Sequence, residues 1–131
     1  VHVVEYALSQ TPAGKIWLGV PIYGSDWPLP FRQGETRARS ISNQYAVTLA
    51  RRYGAEIQFS QSAQSPFFHY TDEAGAAHEV WFEDARSIRA KLALIPEYGL
   101  LGAGYWNLMR PFVQNWQLLN ALYEIRDPDS V

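Results

Sequence analysis

Two almost continuously apolar segments dominate the pattern of hydrophobic and polar positions in this chain. Residues 15–24 have the sequence KIWLGVPIYG, and residues 100–108 have the sequence LLGAGYWNL. Strands that are buried on both faces, as in a parallel sheet, have this composition. We therefore predict two buried parallel strands, with Pro21 at an edge or a bulge because proline has no backbone N–H to donate.

Apolar residues at offsets of three and four predict helices over residues 1–8, 43–53, 85–94 and 116–125. Ser42, Asp84 and Asn115 are the predicted N-caps of the last three helices, because their side chains can accept a hydrogen bond from the first turn. Gly54 ends the second helix, and Pro96 with Gly99 ends the third. The side of the second helix that is predicted to be buried carries Ile41, Tyr45 and Leu49.

The first helix has no residue before Val1 to cap it, so we expect the chain to begin inside an element. Its predicted apolar face consists of Val1, Val3, Val4, Ala7 and Leu8.

A small antiparallel unit is predicted between the two buried strands. Residues 25–39 are expected to form a loop, residues 55–60 a half-buried strand, and residues 66–71 and 76–83 a hairpin with its turn at 72–75. The predicted fold class is therefore α/β with an antiparallel insertion. The polar residues 127–131 are expected to form a loose tail.

The charge of the chain argues against nucleic acid as a partner. The 131 residues include 11 basic and 13 acidic side chains, a net charge of −2, which leaves no surplus positive charge for a phosphate backbone. A group of arginines forms either a solvated face or an anion site; its members are Arg37, Arg39, Arg51 and Arg52.

We expect no membrane span and no signal peptide in this chain, and the absence of Cys excludes disulfides and thiolate chemistry.

Few polar residues are candidates for catalysis. The pairs Asp72–Glu73 and Glu83–Asp84 form either an acid–base dyad or, more simply, turn and cap residues. A turn at 72–75 would place His69 opposite His78, but a zinc site needs a third and a fourth ligand. We therefore predict no metal and no cofactor.

Aromatic residues at the strand ends are stronger candidates. Tyr23 closes the first buried strand, and Trp106 stands near the end of the second. The carboxyl ends of strands form the ligand site of α/β barrels, and aromatic rings offer a large apolar surface to the C–H faces of sugars. Gly102 and Gly104 share a face with Trp106 and would leave space for its indole. Trp106 is thus either a core residue or the floor of a sugar site.

Several blocks of sequence, in this order and spacing, resemble the C-terminal part of glycoside hydrolase family 18. They are KIWLGVPIYGSDWPLPF, SISNQYAVTLARRYGAEIQFS, SPFFHYTDEAGAAHEVWFEDARSIRAKLALIPEYGLLGAGYWNL and PFVQNW. The resemblance extends over residues 1–125. It is greatest to the bacterial spore-cortex-lytic and sporulation-associated N-acetylglucosaminidases.

This resemblance implies a TIM barrel of which the chain holds the last two strands. Residues 1–24 would be a helix and the seventh strand, which ends in the G-x-P-x-Y-G motif at 19–24. Residues 25–84 would be the chitinase-type α+β insertion, residues 85–126 the last barrel helices and the eighth strand, and residues 127–131 a tail. Trp106 would be the tryptophan beneath the sugar.

The acidic signature of the family is absent from these 131 residues. Neither D-x-x-D-x-D-x-E nor the M-x-Y-D segment occurs, and the resemblance places both before Val1. It implies substrate-assisted hydrolysis, in which the 2-acetamido oxygen of the sugar attacks and a Glu of the fourth strand protonates the leaving oxygen. We therefore expect no catalytic residue in this chain and no activity from the chain alone.

The resemblance implies a parent protein that acts on glycans containing N-acetylglucosamine, either spore cortex peptidoglycan or chitin. The alternative is a non-catalytic carbohydrate-binding or spore-surface interaction module. The candidate sugar-binding residues are Trp106 and Tyr23 and, more weakly, Asp26 and Trp27, whereas Tyr105 should pack under the outer helices. The implied location is the spore coat or cortex, or another extracytoplasmic site.

Exposed strand edges lead to an expectation about assembly. A fragment with only two barrel strands has two open edges, and such edges recruit another chain. We expect the isolated chain to form a homo-oligomer through these edges. The alternative is a monomer whose terminal helices fold over them.

Overall fold

Two sheets and four α-helices make up the part of the chain that the computed structural model describes, residues 1–126. The helices are α1 (His2–Gln10), α2 (Asn43–Tyr53), α3 (Ala85–Tyr98) and α4 (Val113–Leu122). The strands are β1 (Trp17–Pro21), β2 (Gly24–Pro28), β3 (Arg39–Ile41), β4 (Gln58–Ser60), β5 (Ser65–Thr71), β6 (Ala77–Trp81) and β7 (Gly102–Trp106). The tail predicted at 127–131 lies outside the described residues. Within residues 1–126, no helix is both long and apolar enough to cross a membrane.

The two apolar strands predicted from the sequence pair with each other, but they are not buried on both faces as predicted. Trp17 and Trp106 are exposed on one face and Val20 is buried on the other, because helices cover only one side of the sheet. β1 and β7 run parallel in a two-stranded sheet, with Trp17 opposite Gly102 and Pro21 opposite Trp106. One face of this sheet packs on α3 and α4 around the buried side chains Val20, Ile22, Ile88, Leu92 and Phe112. Tyr105 packs against this cluster and meets Trp116 of α4 edge-on at 5.8 Å between ring centroids, as predicted.

The segment between these strands builds a second core of its own. Its five strands form an antiparallel sheet in the order β3-β2-β6-β5-β4. α2 covers one face of this sheet, and the core between them consists of Ile41, Ala46, Leu49, Ala50, Phe68, Val80 and Phe82. The predicted antiparallel unit therefore exists, with its apolar residues buried among themselves.

The loop predicted for residues 25–39 is wrong at both of its ends. Gly24–Pro28 is an inner strand of the five-stranded sheet, and Arg39 begins β3. Gly, Asp and Pro are all depleted in strands, so the local sequence GSDWP does not indicate that β2 is a strand. Its pairing with β6, which places Ser25 opposite Trp81, decides the conformation. The first buried strand is correspondingly shorter than predicted, because Gly24 belongs to β2 and Lys15 to a short 3-10 turn.

The register of the hairpin differs by one residue from the prediction. Tyr70, not His69, lies opposite His78, because Ala76 belongs to the turn and accepts the N–H of Asp72 at 2.9 Å. A slip of one residue moves a side chain to the other face of a sheet. His69 and His78 therefore lie on opposite faces, and the pair of imidazoles predicted as the start of a zinc site does not form.

Helix ends follow the predicted caps except at the last helix. The Ser42 hydroxyl accepts the N–H of Tyr45 at 3.1 Å, and Asp84 caps α3 through two backbone N–H groups. α3 continues through Pro96, because a proline in the last turn removes only one hydrogen bond of the helix. Asn115 is not the cap of α4: it lies fully buried inside the helix, which ends at Leu122.

Two helix faces differ from those predicted. In α2 the buried residues are Ala46, Leu49 and Ala50, whereas Tyr45 is 40% exposed and lies under the guanidinium of Arg39. In α1 only Val4 is buried, while Val1 and Val3 are exposed. The apolar face of α1 is therefore mostly uncovered among the described residues.

Candidate functional site

The carboxyl ends of β1 and β7 lie side by side and carry the two main aromatic candidates. The N–H of Ile22 donates to the carbonyl oxygen of Trp106 at 2.9 Å, so Tyr23 follows directly beside the end of β7. Trp106 is 70% exposed, and Tyr23 is half-buried. The peptide bond between Trp106 and Asn107 is cis. The structure thus brings Tyr23 and Trp106 to one edge of the parallel sheet.

Trp106 shares its face of this sheet with a second indole, that of Trp17. A Cβ atom at Gly102 would lie 2.9 Å from the ring of Trp17, so this glycine makes room for Trp17 and not for Trp106. A Cβ at Gly104 would meet no atom within 4 Å, and the same is true of Gly19 opposite it. An open strip of backbone therefore separates the two indoles.

Tyr23 also lines a cleft at the junction of the two sheets. The cleft measures about 220 Å³. Tyr23 and Pro21 line it from the end of β1, and the insertion contributes Ser25, Ser65, Trp81, Phe82 and Glu83. Sequence reasoning missed Ser25 and Trp81. The alternation of side chains along β6 could have indicated that Trp81 lies on the face opposite the core. That alternation identifies a shared face with Ser25 only when β2 is recognised as the neighbouring strand.

β2 sends Asp26 and Trp27 to opposite faces of the five-stranded sheet. Asp26 is 4% exposed and accepts a hydrogen bond from the Tyr70 hydroxyl at 3.0 Å. Its other oxygen lies 2.8 Å from Nδ1 of His78. The structure therefore assigns Asp26 to the interior of the insertion and does not bring it to the Tyr23 cleft.

Trp27 lies on the same face of the sheet as Ser25, since side chains alternate along β2. Its ring meets that of Phe31 edge-on at 5.7 Å between centroids. Trp27 is thus on the side of the cleft without lining it.

His78 bridges two carboxylates beneath α2. Its Nδ1 faces Asp26, and its Nε2 lies 3.5 Å from Oδ2 of Asp72. The ring stacks on Tyr70 at 4.6 Å between centroids. Burial, followed by the hydrogen bond to Asp26, raises the pKa of Tyr70, so its hydroxyl remains a donor. Hydrogen bonds, above all from the N–H of Ala76, lower the pKa of Asp72.

Carboxylates lie beside two of the four arginines of this region. The Nε atom of Arg39 lies 4.0 Å from Asp26, and Arg52 pairs with Glu73. A cavity of about 360 Å³ beside the Asp26–His78 contact is lined by Arg37, Arg39 and Arg52, but also by Asp26 and Asp72. This distribution of charge favours a solvated face with structural ion pairs over an anion site.

The two carboxylate pairs hold structural positions. Asp72 accepts the N–H groups of two turn residues, and Asp84 accepts those of the first turn of α3. Glu83 is buried and accepts hydrogen bonds from Ser87 at 2.5 Å and Lys91 at 2.8 Å. In the stretch 1–126, no three His, Asp or Glu side chains are placed to hold a metal ion together.

Comparison with known proteins identifies the family to which this chain is similar. A sequence profile described as glycosyl hydrolases family 18 matches residues 2–110. The chain is 51% identical over 123 residues to the cortical fragment-lytic enzyme of Bacillus subtilis (strain 168), covering 94% of this chain and 28% of that protein. It is 46% identical over 125 residues to the putative sporulation-specific glycosylase YdhD of the same strain, covering 95% of this chain and 30% of that protein.

A solved structure of similar sequence has the same fold. The spore cortex-lytic enzyme SleL of Bacillus megaterium QM B1551 superposes with a TM-score of 0.87 at 50% identity, over 95% of this chain and 29% of that one. The chain therefore spans less than a third of the length of these relatives.

The position of His78 leads to a stability prediction. His78→Ala removes the ring that faces the buried carboxylate of Asp26, so we expect the free energy of unfolding to fall by about 1–3 kcal/mol. His69→Ala is the matched control, because His69 is exposed on the other face, where it pairs with Glu79 and meets the edge of Phe67. This variant should lower the free energy of unfolding by about 0–1 kcal/mol. Urea unfolding of both variants at neutral pH measures the difference, and equal losses would contradict the assignment.

Proposed function

The chain belongs to glycoside hydrolase family 18, and from that premise we propose that it is the C-terminal part of an enzyme that hydrolyses glycans containing N-acetylglucosamine. Spore cortex peptidoglycan is the proposed substrate, with chitin as the alternative. The names of the Bacillus relatives support the first choice. The observation that carries the proposal is the juxtaposition of Tyr23 and Trp106 at the joined carboxyl ends of β1 and β7.

The parallel pair β1–β7 is proposed to be the seventh and eighth strands of a TIM barrel. The seventh strand and its preceding helix are then residues 1–24. The insertion is residues 25–84, and the last helices with the eighth strand are residues 85–126. The side on which α3 and α4 pack corresponds to the outer ring of helices in such a barrel. The side with Trp17 and Trp106 corresponds to the interior.

In this proposal the chain contributes sugar binding and not proton transfer. The exposed indole of Trp106 offers a flat apolar surface to one face of a sugar ring, and Tyr23 borders it. The carboxylates of the two acidic pairs are engaged with side chains or backbone N–H groups. The general acid would come from a segment outside these 131 residues. Asp26 has no part in this proposal, because it is buried beneath α2.

The first test is hydrolysis. The full-length gene product should release products from cortex fragments or from N-acetylglucosamine oligomers, because it would supply the acidic residues. The purified 131-residue chain, assayed beside it, should show no turnover above a preparation from cells without the gene. Failure of the full-length protein on both substrates contradicts the proposal. Turnover by the short chain contradicts the assignment of the acid to another segment.

The second test removes the stacking surface. In the full-length protein, Trp106→Ala should weaken binding of N-acetylglucosamine oligomers by about 1–3 kcal/mol, the range expected for apolar burial and stacking of an aromatic ring. Trp116→Ala is the matched control, since it removes an indole that packs on Tyr105 at the helix side of the sheet. Titration calorimetry measures both affinities. An unchanged affinity in the Trp106 variant would contradict the stacking role and would show that Trp106 is a packing residue.

The open edges of the parallel sheet support a proposal about the isolated chain. Among the described residues, β1 and β7 pair only with each other, so each strand has one unpaired edge. Large apolar side chains are exposed around this sheet, including Trp17, Leu101, Trp106, Leu108 and Met109. Unpaired edges and apolar patches of this kind favour association.

We therefore expect the isolated 131-residue chain to form a two-fold dimer, since this is the commonest closed assembly. Light scattering at micromolar concentration should give twice the mass of one chain. The full-length protein, in which further strands would occupy both edges, should be a monomer under the same conditions. A monomeric mass for the short chain would favour the alternative in which terminal helices cover the edges.

A further inference from the structure

The first residues of three helices meet around a cavity beside α2. The cavity measures about 340 Å³. Its lining includes Asn43 and Gln44 at the start of α2, Asp84 at the N-cap of α3, and Val113 and Gln114 at the start of α4. The N-terminus of a helix carries a partial positive charge, so all three helices favour an anion here. Of the three, only α4 has no side chain as its cap, which leaves the N–H groups of its first residues for another acceptor.

A buried amide donor at this cavity has no acceptor. Asn43 is 3% exposed, and its Oδ1 accepts the backbone N–H of Glu83 at 2.9 Å. Its Nδ2 is buried and has no hydrogen-bond partner within residues 1–126. Buried donors are rarely left without an acceptor, because each has given up its hydrogen bonds to water. This donor indicates, independently of the helix ends, that an oxygen atom from outside these residues binds here.

Arg51 gives the cavity a positive charge that no neighbouring carboxylate neutralises. Its guanidinium forms no ion pair with a carboxylate in the part of the chain that the structure describes. The two carboxylates that line the cavity have cations of their own. Asp84 pairs with Arg86 at 2.7 Å, and Glu83 pairs with Lys91 at 2.8 Å. The unbalanced charge is therefore positive.

The size and the apolar walls of the cavity indicate what kind of anion it takes. Val47, Pro111 and Phe112 contribute apolar surface. The volume lies near the lower end of the range of about 300–1,000 Å³ that is typical for ligand pockets, and it exceeds what a single inorganic anion needs. A carboxylate that is attached to small apolar groups, as in a short peptide, fits both the charge and the walls.

The cavity is near the proposed sugar site. Phe82 and Glu83 line both this cavity and the Tyr23 cleft. Pro111 follows Trp106 by five residues, so their Cα atoms are at most about 18 Å apart. The N–H of Arg110 donates to the carbonyl oxygen of Asn107, and this turn shortens the distance further. A flexible peptide of four or five residues can span it.

We propose that this cavity binds a carboxylate of a peptide that is attached to the glycan strand. Peptidoglycan carries such peptides on the lactyl groups of its muramic acid units, whereas chitin is an uncharged polymer of N-acetylglucosamine. The inference rests on the proposed function and deepens it, because this site would select peptidoglycan over chitin. Arg51, Asn43 and the first N–H groups of α4 donate to the carboxylate, and they take no part in bond cleavage.

The test compares two substrates that share one glycan: cortex fragments with free carboxylates, and the same fragments with their carboxylates converted to methylamides. In the full-length wild type, kcat/KM should be about 3- to 10-fold higher for the free carboxylates. Arg51→Gln should lower this ratio to about one, with the loss on the carboxylate-bearing fragments. Arg51 is exposed, so this substitution should not disturb folding.

Arg52→Gln is the matched control. Arg52 is the next residue of α2, but it pairs with Glu73 and lines the other cavity, beside the Asp26–His78 contact. It should keep the wild-type ratio. Titration calorimetry with acetyl-Ala-Ala, a free peptide carboxylate, distinguishes the second source of the same chemistry. If this dipeptide binds while the wild-type ratio is near one, the cavity takes free carboxylates and the proposal is overturned.

The remaining outcomes separate this inference from the proposed function. If the fragments are cleaved but Arg51→Gln keeps the wild-type ratio, the proposed function stands and the carboxylate site is wrong. A lower Tm of the full-length Arg51→Gln variant with the same ratio would show that a carboxylate of the protein itself occupies the cavity, which also overturns the proposal. If the wild type cleaves neither the fragments nor N-acetylglucosamine oligomers, the proposed function fails and the inference fails with it.

Discussion

The parallel pairing of β1 with β7 is the constraint on which the arrangement of this chain depends. The whole insertion and α3 lie between the two strands in sequence, yet Pro21 and Trp106 are direct neighbours. Val20 and Ile22 anchor the pair against Ile88 and Leu92 of α3. Because the strands are parallel, their carboxyl ends meet at one edge, and the two aromatic residues meet there with them.

The chain has two separate hydrophobic cores, and they stabilise different parts of the structure. The core under α2 makes the insertion self-contained, and the buried group of Asp26, Tyr70 and His78 closes its hairpin onto β2. The core beneath β1 and β7 leaves the opposite face of that sheet, with Trp17 and Trp106, uncovered. Buried hydrogen-bonded polar groups and aromatic rings both hold the insertion together, whereas the open face of the parallel sheet carries two exposed indoles.

The cleft of Tyr23 and Trp81 lies where the two parts join. Neither part forms it alone, because the end of β1 contributes Tyr23 and Pro21 while the insertion contributes Trp81 and two serines. The position of the insertion relative to the parallel sheet therefore determines the shape of the cleft. The chain makes this connection with only Ile22 and Tyr23 between β1 and β2, which restricts how far the two sheets can move apart.

The sequence by itself determined the apolar strands, the cap residues Ser42 and Asp84, and the aromatic residues at the strand ends, because these depend on local composition and on hydrogen bonds within a few residues. Only the tertiary structure decided that Gly24–Pro28 is a strand, since its partner β6 lies some fifty residues away in sequence. It also decided the faces of His69 and His78, because one additional turn residue reverses every side chain of a hairpin strand. Asp26 and Trp27 are adjacent in sequence, yet one is buried under α2 and the other lies on the opposite face. Long-range pairing sets both register and face, and a short sequence window carries no information about it.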